Sequence, residues 1–390
     1  MNVTRPDDIW TSKQLYHARK LRNIPFIVKE ELSWHEQRNF IDKSIEVLGN
    51  ISLAENIKNQ LDQLKSNYPS NKKLLSEGYT EIKNEEEWEN LYDLDGTFTI
   101  AFNKSSGAIT TLKDTKTNIQ WATINNPLLR FMYRSHSLAE ASNYPEIYNY
   151  NHGGQHPYHE PIGTNFYPGM NMTDNIAKKW YGKIISMWVL ENNDEKTSVS
   201  SIIVKLKLDD TNINQIGYGA PSEIMLNVSI NSQDNEKSFL VELVWEGKVP
   251  TRLFETIWLE VRPALQEDSD WSLLVNKIGS SINVSDVVNK GGSSLHGFDP
   301  NGGITFFNSN DFQSSIHNNL NIKSLDCGVV APGFNTNPWK YDVYDNGNAV
   351  DPLDGAAFFL YGNLYNTNYV LWYPFIEEDN MSRFRFEFTF

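Results

Sequence analysis

Phe384, Phe386, Phe388 and Phe390 alternate with Arg385, Glu387 and Thr389. A period of two with aromatic side chains on one side fits a half-buried β-strand and no helix. The same rhythm returns in residues 201–208, 223–230, 238–245 and 252–261. In residues 97–102 it sets Phe98, Ile100 and Phe102 against smaller neighbours; Lys104-Ser105-Ser106-Gly107 then turns the chain and residues 108–113 return as the second arm of a hairpin. No apolar pattern of helical period and length separates these segments, which excludes the crossover helices that a parallel sheet requires. The expected fold class is mainly β: an antiparallel β-sandwich over residues 91–390, long enough to be double-layered or to divide into two β subdomains.

Residues 6–68 carry the other period. Ser33-Trp34-His35-Glu36 and Ser52-Leu53-Ala54-Glu55 have the spacing of capping boxes, so each predicts a helix start. Trp34, Ile41, Ile45 and Leu48 form one stripe before Gly49; Leu53, Ile57, Leu61 and Leu64 form the next before Pro69. A further helix around Trp10, Leu15 and Leu21 completes a small three-helix bundle in residues 1–84, ended by the acidic linker Asn84-Glu85-Glu86-Glu87. Some 65 residues with one narrow stripe per helix lie near the lower limit for independent stability, so the bundle is expected to lean on another surface and to leave an apolar patch shared with the β region. His17 and His35 sit on these helices without a second ligand three or four residues away, a spacing unsuited to metal.

Charge narrows the partners. With 34 basic against 49 acidic residues the chain carries a net charge of −15, which repels phosphate backbones and anionic lipid, so neither nucleic acid nor a membrane is expected as a partner and a neutral one fits better. No window approaches the roughly 20 apolar residues of a membrane helix, and residues 1–10 lack the pattern of a signal peptide; the expectation is a cytoplasmic chain. Cys327 is the single cysteine, so neither an internal disulfide nor a cysteine metal cluster can form.

Three stretches hold chemistry-bearing residues. In residues 271–298 a strand containing Leu273 and Val275 gives way to glycines and then to Leu295-His296-Gly297-Phe298-Asp299. His296 and Asp299 can stand at a strand end on the rim of a sheet, or the histidine can be a satisfied core residue; the residues leave both open. In residues 362–375 Asn363, Asn366 and Asn368 surround Tyr365 and precede Trp372. Amides that both donate and accept, beside aromatic rings, suit sugar hydroxyls and the C–H face of a pyranose, while the same asparagines can equally tie their own turns. The segment 134–180 contains His136, His152, His156 and His159 followed by Glu160, but Gly153, Gly154 and Pro157 prevent a helix that would aim these donors at one point, so no metal is expected there.

Residues 252–261, then 271–296 with Asp286-Val287-Val288-Asn289, then Ser324-Leu325-Asp326 with Val330-Ala331-Pro332-Gly333, then 362–373 and 383–390 occur in an order that resembles the C-terminal half of proteins similar to glycoside hydrolase family 38, the retaining α-mannosidases. The Ser33-Trp34-His35-Glu36-Gln37-Arg38 block and residues 102–121 resemble the bundle and the start of the β region in that family. The resemblance implies a helical bundle followed by a galactose-mutarotase-like supersandwich, normally preceded by a zinc-binding barrel that holds the aspartate nucleophile. No position here matches the nucleophile or the zinc ligands, so it implies no catalytic residue, no metal and no cofactor in this chain, zinc belonging to the barrel. The expected function is that of the non-catalytic region of a family 38-like protein in α-mannoside-type carbohydrate metabolism, truncated or partnered by a separately encoded barrel. Its sugar contacts are expected from His296, Asp299, Asn363, Asn366, Asn368 and Trp372, converging at one rim. Two alternatives are a free-standing carbohydrate-binding β-sandwich module and a mutarotase-like enzyme using His296 with a nearby carboxylate.

Overall fold

The structure, a computed structural model, describes residues 25–49, 51–64, 67–137, 139–140, 176–192, 198–208, 218–231, 238–248, 254–266, 269–287, 295–309, 319–333, 336–338, 351–363 and 380–390. These are mainly β. Helices α1 (Pro25–Leu48), α2 (Ser52–Leu64) and the short α3 (Asn71–Ser76) come first. The strands β1 (Thr80–Glu81), β2 (Tyr92–Leu94), β3 (Phe98–Phe102), β4 (Ile109–Asp114), β5 (Gln120–Ala122) and β6 (Arg130–Ser135) follow. After them come β7 (Lys178–Glu191), β8 (Ser198–Leu208), β9 (Glu223–Ile230), β10 (Ser238–Glu246), β11 (Glu255–Val261), β12 (Trp271–Lys277) and β13 (Ser280–Asn283). A single helical turn, α4 (Val284–Val287), precedes β14 (His296–Gly297), β15 (Gly303–Asn308), β16 (Leu320–Ser324), β17 (Val329–Pro332), β18 (Ala356–Asn363) and β19 (Ser382–Thr389). All pairings among them are antiparallel except the short contact of β2 with β8.

Ser33 does not start a helix. Pro25, whose fixed φ suits a first turn, stands at the head of α1, and the helix runs through Ser33 to end at Gly49, which takes the left-handed φ of 66° and donates its N–H to Glu46 O at 3.0 Å. The second capping box does mark a start, since α2 begins at Ser52. The helix expected around Trp10 to Leu21 lies outside the described residues. Leu32, Phe40, Ile41, Val47, Ile51 and Leu53 on and between α1 and α2 are all exposed. Among the described residues no helix is long and apolar enough to cross a membrane.

The β structure begins before the acidic linker, because Thr80 and Glu81 already pair with Val189 and Trp188 of β7. α3, which no stripe in the sequence announces, docks here. Ser70 caps it by accepting the Lys73 N–H at 3.3 Å, and Leu74 is buried against Trp188, Ile203, Met225 and Val244. Lys205 of β8 fixes the approach by donating to Pro69 O at 3.0 Å and Asn71 Oδ1 at 2.8 Å, its ammonium 4.9 Å from the centre of the Tyr68 ring.

One sheet runs β7, β8, β9, β10 in chain order, with β19 beside β10 and then β16, β15, β12 and β13. The second runs β6, β11, β18, β17, β14. Their side chains share one core. Phe131 of β6 meets Trp245 of β10 with centroids 6.3 Å apart, and Phe358 of β18 meets Phe386 of β19 at 5.0 Å. The C-terminal alternation lands as its period requires: Phe384, Phe386 and Phe388 are buried, and Phe390 packs on Phe98, Trp121 and Phe239. Each such ring taken out of water contributes about 1.5–3 kcal/mol.

β7 joins the two sheets. Its residues from Lys178 to Tyr181 pair with β6, and from Gly182 onward it pairs with β8. At the change of partner a Cβ on Gly182 would lie 2.9 Å from Leu206 Cδ1 and 3.2 Å from Leu206 Cβ. Leu206 has little room to yield, since its Cβ is also close and its other methyl rests on Gly107, where a Cβ would lie 2.5 Å from Cδ2. Gly182→Ala is therefore expected to cost about 1–3 kcal/mol by overpacking. Adding Leu206→Ala should make the second substitution cheaper than it is alone, a coupling that urea denaturation of the four proteins in the cycle measures directly.

Candidate functional site on the second sheet

Strand alternation sorts the residues of β6, β7 and β11 onto two faces. Phe131, Tyr133, Ile257, Leu259 and Val261 look into the core. Arg130, Met132 and Arg134, with Thr256, Trp258 and Glu260, occupy the opposite face, and the register places Glu260 opposite Arg130, Trp258 opposite Met132 and Thr256 opposite Arg134. β7 extends the rows, with Tyr181 opposite Met132 and Lys179 opposite Arg134. Trp258, Met132, Thr256 and Glu260 are buried, Tyr181 is half-buried and Lys179 is exposed, so the face has a closed floor and an open side along β7.

The charges on this face are paired with short geometry. Arg130 Nε donates to Glu260 Oε2 at 2.6 Å and its guanidinium lies 4.5 Å from the centre of the Tyr181 ring. Burial raises the Glu260 carboxyl above its ordinary value, opposed by Arg130, and burial likewise raises the Tyr181 hydroxyl. Arg134 Nη2 donates to Glu140 Oε1 at 2.7 Å and Nη1 to Thr336 Oγ1 at 2.8 Å. Lys179, though its surface is exposed, is lowered by partial desolvation among its neighbours, with the Arg134 and Arg130 charges adding to it and Glu260 opposing.

A hydrogen-bond string runs through the floor. Trp258 Nε1–H donates to Thr256 Oγ1 at 2.7 Å, and the same hydroxyl lies 2.8 Å from His136 Nε2, to which it donates when the Glu140 carboxylate holds the ring proton on Nδ1. His136 Nδ1 then carries the ring proton and faces Glu140 Oε2 at 3.4 Å. Burial lowers His136 to about 4, so the ring is neutral at pH 7. Glu140 is held at about 2, because the His136 hydrogen bond and the Arg134 charge outweigh the burial that alone would raise it. The spacing resembles a nucleophile, base and acid in line, but Thr256 has no accessible surface, and what the string does is orient Trp258 and Glu140.

The core face of the same strands holds a second polar group. Lys248 Nζ donates to Glu255 Oε1 at 2.6 Å and to Gly219 O at 2.9 Å, Tyr133 donates its hydroxyl to Glu255 Oε2 at 2.6 Å, and the Lys248 ammonium lies 4.5 Å from the Tyr361 ring centre. Burial lowers Lys248, opposed by Glu255, and raises Tyr133 well above its ordinary value. Removing one partner of such a pair strands the other; Lys248→Met is expected to cost about 3–5 kcal/mol in urea denaturation, and Lys248→Met with Glu255→Leu less than the sum of the singles.

Of the residues that the sequence offers as sugar contacts, His296, Asp299 and Asn363 are described, and His296 and Asn363 stand apart. His296 stands opposite Val330 on β17, hence on the core face, and is 1% exposed. Its row continues from Val330 to Phe358 on β18, whereas Asn363, five residues further along that strand, stands opposite Glu255. At about 3.3 Å per residue that offset is roughly 16 Å. Asp299 turns its carboxylate to the backbone, accepting the Ile278 N–H at 2.8 Å and the Gly279 N–H at 2.7 Å, which holds it below its ordinary range. Asn366, Asn368 and Trp372 lie outside the described residues, as do His152, His156, His159 and Glu160. Among the described residues no group of three His, Cys, Asp or Glu side chains could hold a metal ion. The charged face was missed from the sequence alone: the four-residue spacing of His136 and Glu140 is a local signal that could have pointed to it, but the partners across β6, β7 and β11 are far apart in the chain.

The two shifted groups set a pH dependence. As pH falls through 6.5 an unfolded chain protonates its histidine while folded His136 resists until about 4, so stability drops across that window. Between 4.5 and about 2 the same holds for Glu140, and the drop continues. His136→Gln should remove the first part of the loss, on the order of 3 kcal/mol for a buried group with this shift, and leave the part below pH 4.5. Urea midpoints of both proteins from pH 7.5 to about 3 test this; parallel curves down to pH 4 would overturn the assignment to His136.

Comparison with curated proteins finds no match. Residues 6–238, more than half of the chain, match a family described as a domain of unknown function, DUF5054. That span holds helices α1 to α3, the β7 crossing and the β6 and β7 side of the charged face, and the chain belongs to the DUF5054 family.

Proposed function

We propose that this chain is the helical and β-rich part of a carbohydrate-active protein related to glycoside hydrolase family 38, and that it binds α-mannoside-type sugars without cleaving them. In this reading residues 1–84 form the helical bundle and residues 91–390 a supersandwich of the galactose-mutarotase kind. The observation that carries it is the open side of the charged face, where Tyr181 lies beside the Arg130–Glu260 pair and Arg134 and Lys179 continue the row. A pyranose presents a C–H face and a rim of hydroxyls that both donate and accept; an aromatic ring flanked by a guanidinium and a carboxylate meets both. Glu260 and Glu140 are each engaged by an arginine, which suits recognition better than proton transfer.

Chemistry on the sugar then belongs to a zinc-binding barrel outside these 390 residues. The exposed Leu32, Phe40, Ile41, Val47, Ile51 and Leu53 are where such a partner would pack. A reducing cytoplasm suits Cys327, buried and with its thiol pushed up to about 11 by that burial. The mutarotase-like alternative is weakened by the burial of His296, while a free-standing binding module differs only in needing no barrel.

Titration calorimetry with α-mannobiose is expected to give millimolar affinity, about −4 kcal/mol, with Tyr181→Ala at least fivefold weaker. A chromogenic α-mannoside should stay intact. Release of the aglycone, or failure of every neutral glycan to bind at millimolar concentration, would overturn the proposal.

A further inference from the structure

The hairpin β12–β13 turns through two residues only, since Lys277 pairs with Ser280. Both turn residues have positive φ, 52° at Ile278 and 73° at Gly279. This pattern favours Asn-Gly or Gly-Gly, and a β-branched side chain in the first position is strained. The strain has no packing reward, because Ile278 is 96% exposed. It is held from below by Asp299, whose two oxygens take the Ile278 and Gly279 N–H groups.

Beside this turn lies an open pocket of about 360 Å³ lined by Asn276, Gly279, Asp299, Asn301, Asn321 and Lys323, with Pro300 and Gly302. Its chemistry is mixed: a carboxylate held ionised, an ammonium whose ion pair with Glu387 is 3.7 Å long and half-exposed, and amide groups. Asn276 is spent on the frame, accepting the Gly303 N–H at 3.0 Å and donating to Ser281 at 3.2 Å. Strain retained at an exposed position beside a polar pocket is what a ligand contact leaves behind.

We infer that this pocket is a second binding site for a neutral polyol, a sugar whose adjacent hydroxyls meet Asp299 and Lys323 while Ile278, which adjoins Gly279 of the pocket wall without being part of it, reaches over its C–H face. The inference rests on the carbohydrate reading above but concerns a different surface, on the first sheet. The carboxylate accepts from one hydroxyl, the ammonium donates to its neighbour, and the pairing of opposite charges across the pocket disfavours a ligand with net charge.

The test uses the full chain and methyl α-D-mannopyranoside with its deoxy analogues, followed by saturation-transfer NMR and titration. Ile278→Asn relieves the turn, so it should raise the unfolding midpoint while weakening binding at this pocket at least fivefold. Lys323→Met should weaken it similarly with the midpoint unchanged. A turn with no ligand role would gain stability and keep its affinity. If Tyr181→Ala abolishes binding and both pocket variants bind as the unaltered chain does, the pocket inference is overturned and the carbohydrate reading stands. If the unaltered chain binds no glycoside, both fall.

Discussion

Among the described residues two sheets are joined through one strand, and that arrangement depends on a residue without a side chain. β7 gives its first residues to β6 and the rest to β8, and the two sets of hydrogen bonds can change hands at Gly182 because nothing there pushes Leu206 away. Every row of the charged face is measured from this crossing: Lys179 and Tyr181 stand just before it, on the portion that faces β6. A shift of one residue in the pairing would exchange the two faces and bring Trp180, now in the core, to the place of Tyr181.

The same strands serve opposite environments residue by residue. Glu255 and Thr256 are neighbours on β11, yet one anchors a lysine and a tyrosine in the core and the other ties Trp258 to His136 on the far side. Charges buried this deeply are tolerated only because each finds a partner at hydrogen-bond distance, and the register that supplies those partners is fixed by the apolar residues between them. Ile257 and Leu259 set the phase of the strand, and the polar groups ride on it.

Period two was readable wherever a strand is half-buried. β9 and β10 begin where the alternation predicts and β19 follows the phenylalanine ladder. β11 is buried on both faces, so its apolar residues run together and the sequence does not reveal which of Glu255 and Glu260 faces inward. The helical region was legible in outline, with Gly49 and Ser52 as its stop and start, but Ser33 misled because a capping residue inside a helix has no backbone N–H left to cap. His296 and Asp299 showed that glycine-flanked polar residues at a strand end need not share a surface: one follows its strand into the core, and the other bonds the turn across from it. The charged face was not legible, because its members come from segments whose adjacency only the pairing of β6, β7 and β11 creates.

The single cysteine has a use of its own. Cys327 sits at the entrance to β17 with its sulfur 3.1 Å from Phe359 O and 3.3 Å from Val329 O, and burial keeps the thiol protonated. A thiol reagent reaches it only when the β17–β18 end of the second sheet opens, so its rate of modification is a built-in clock for that opening, read without an introduced label.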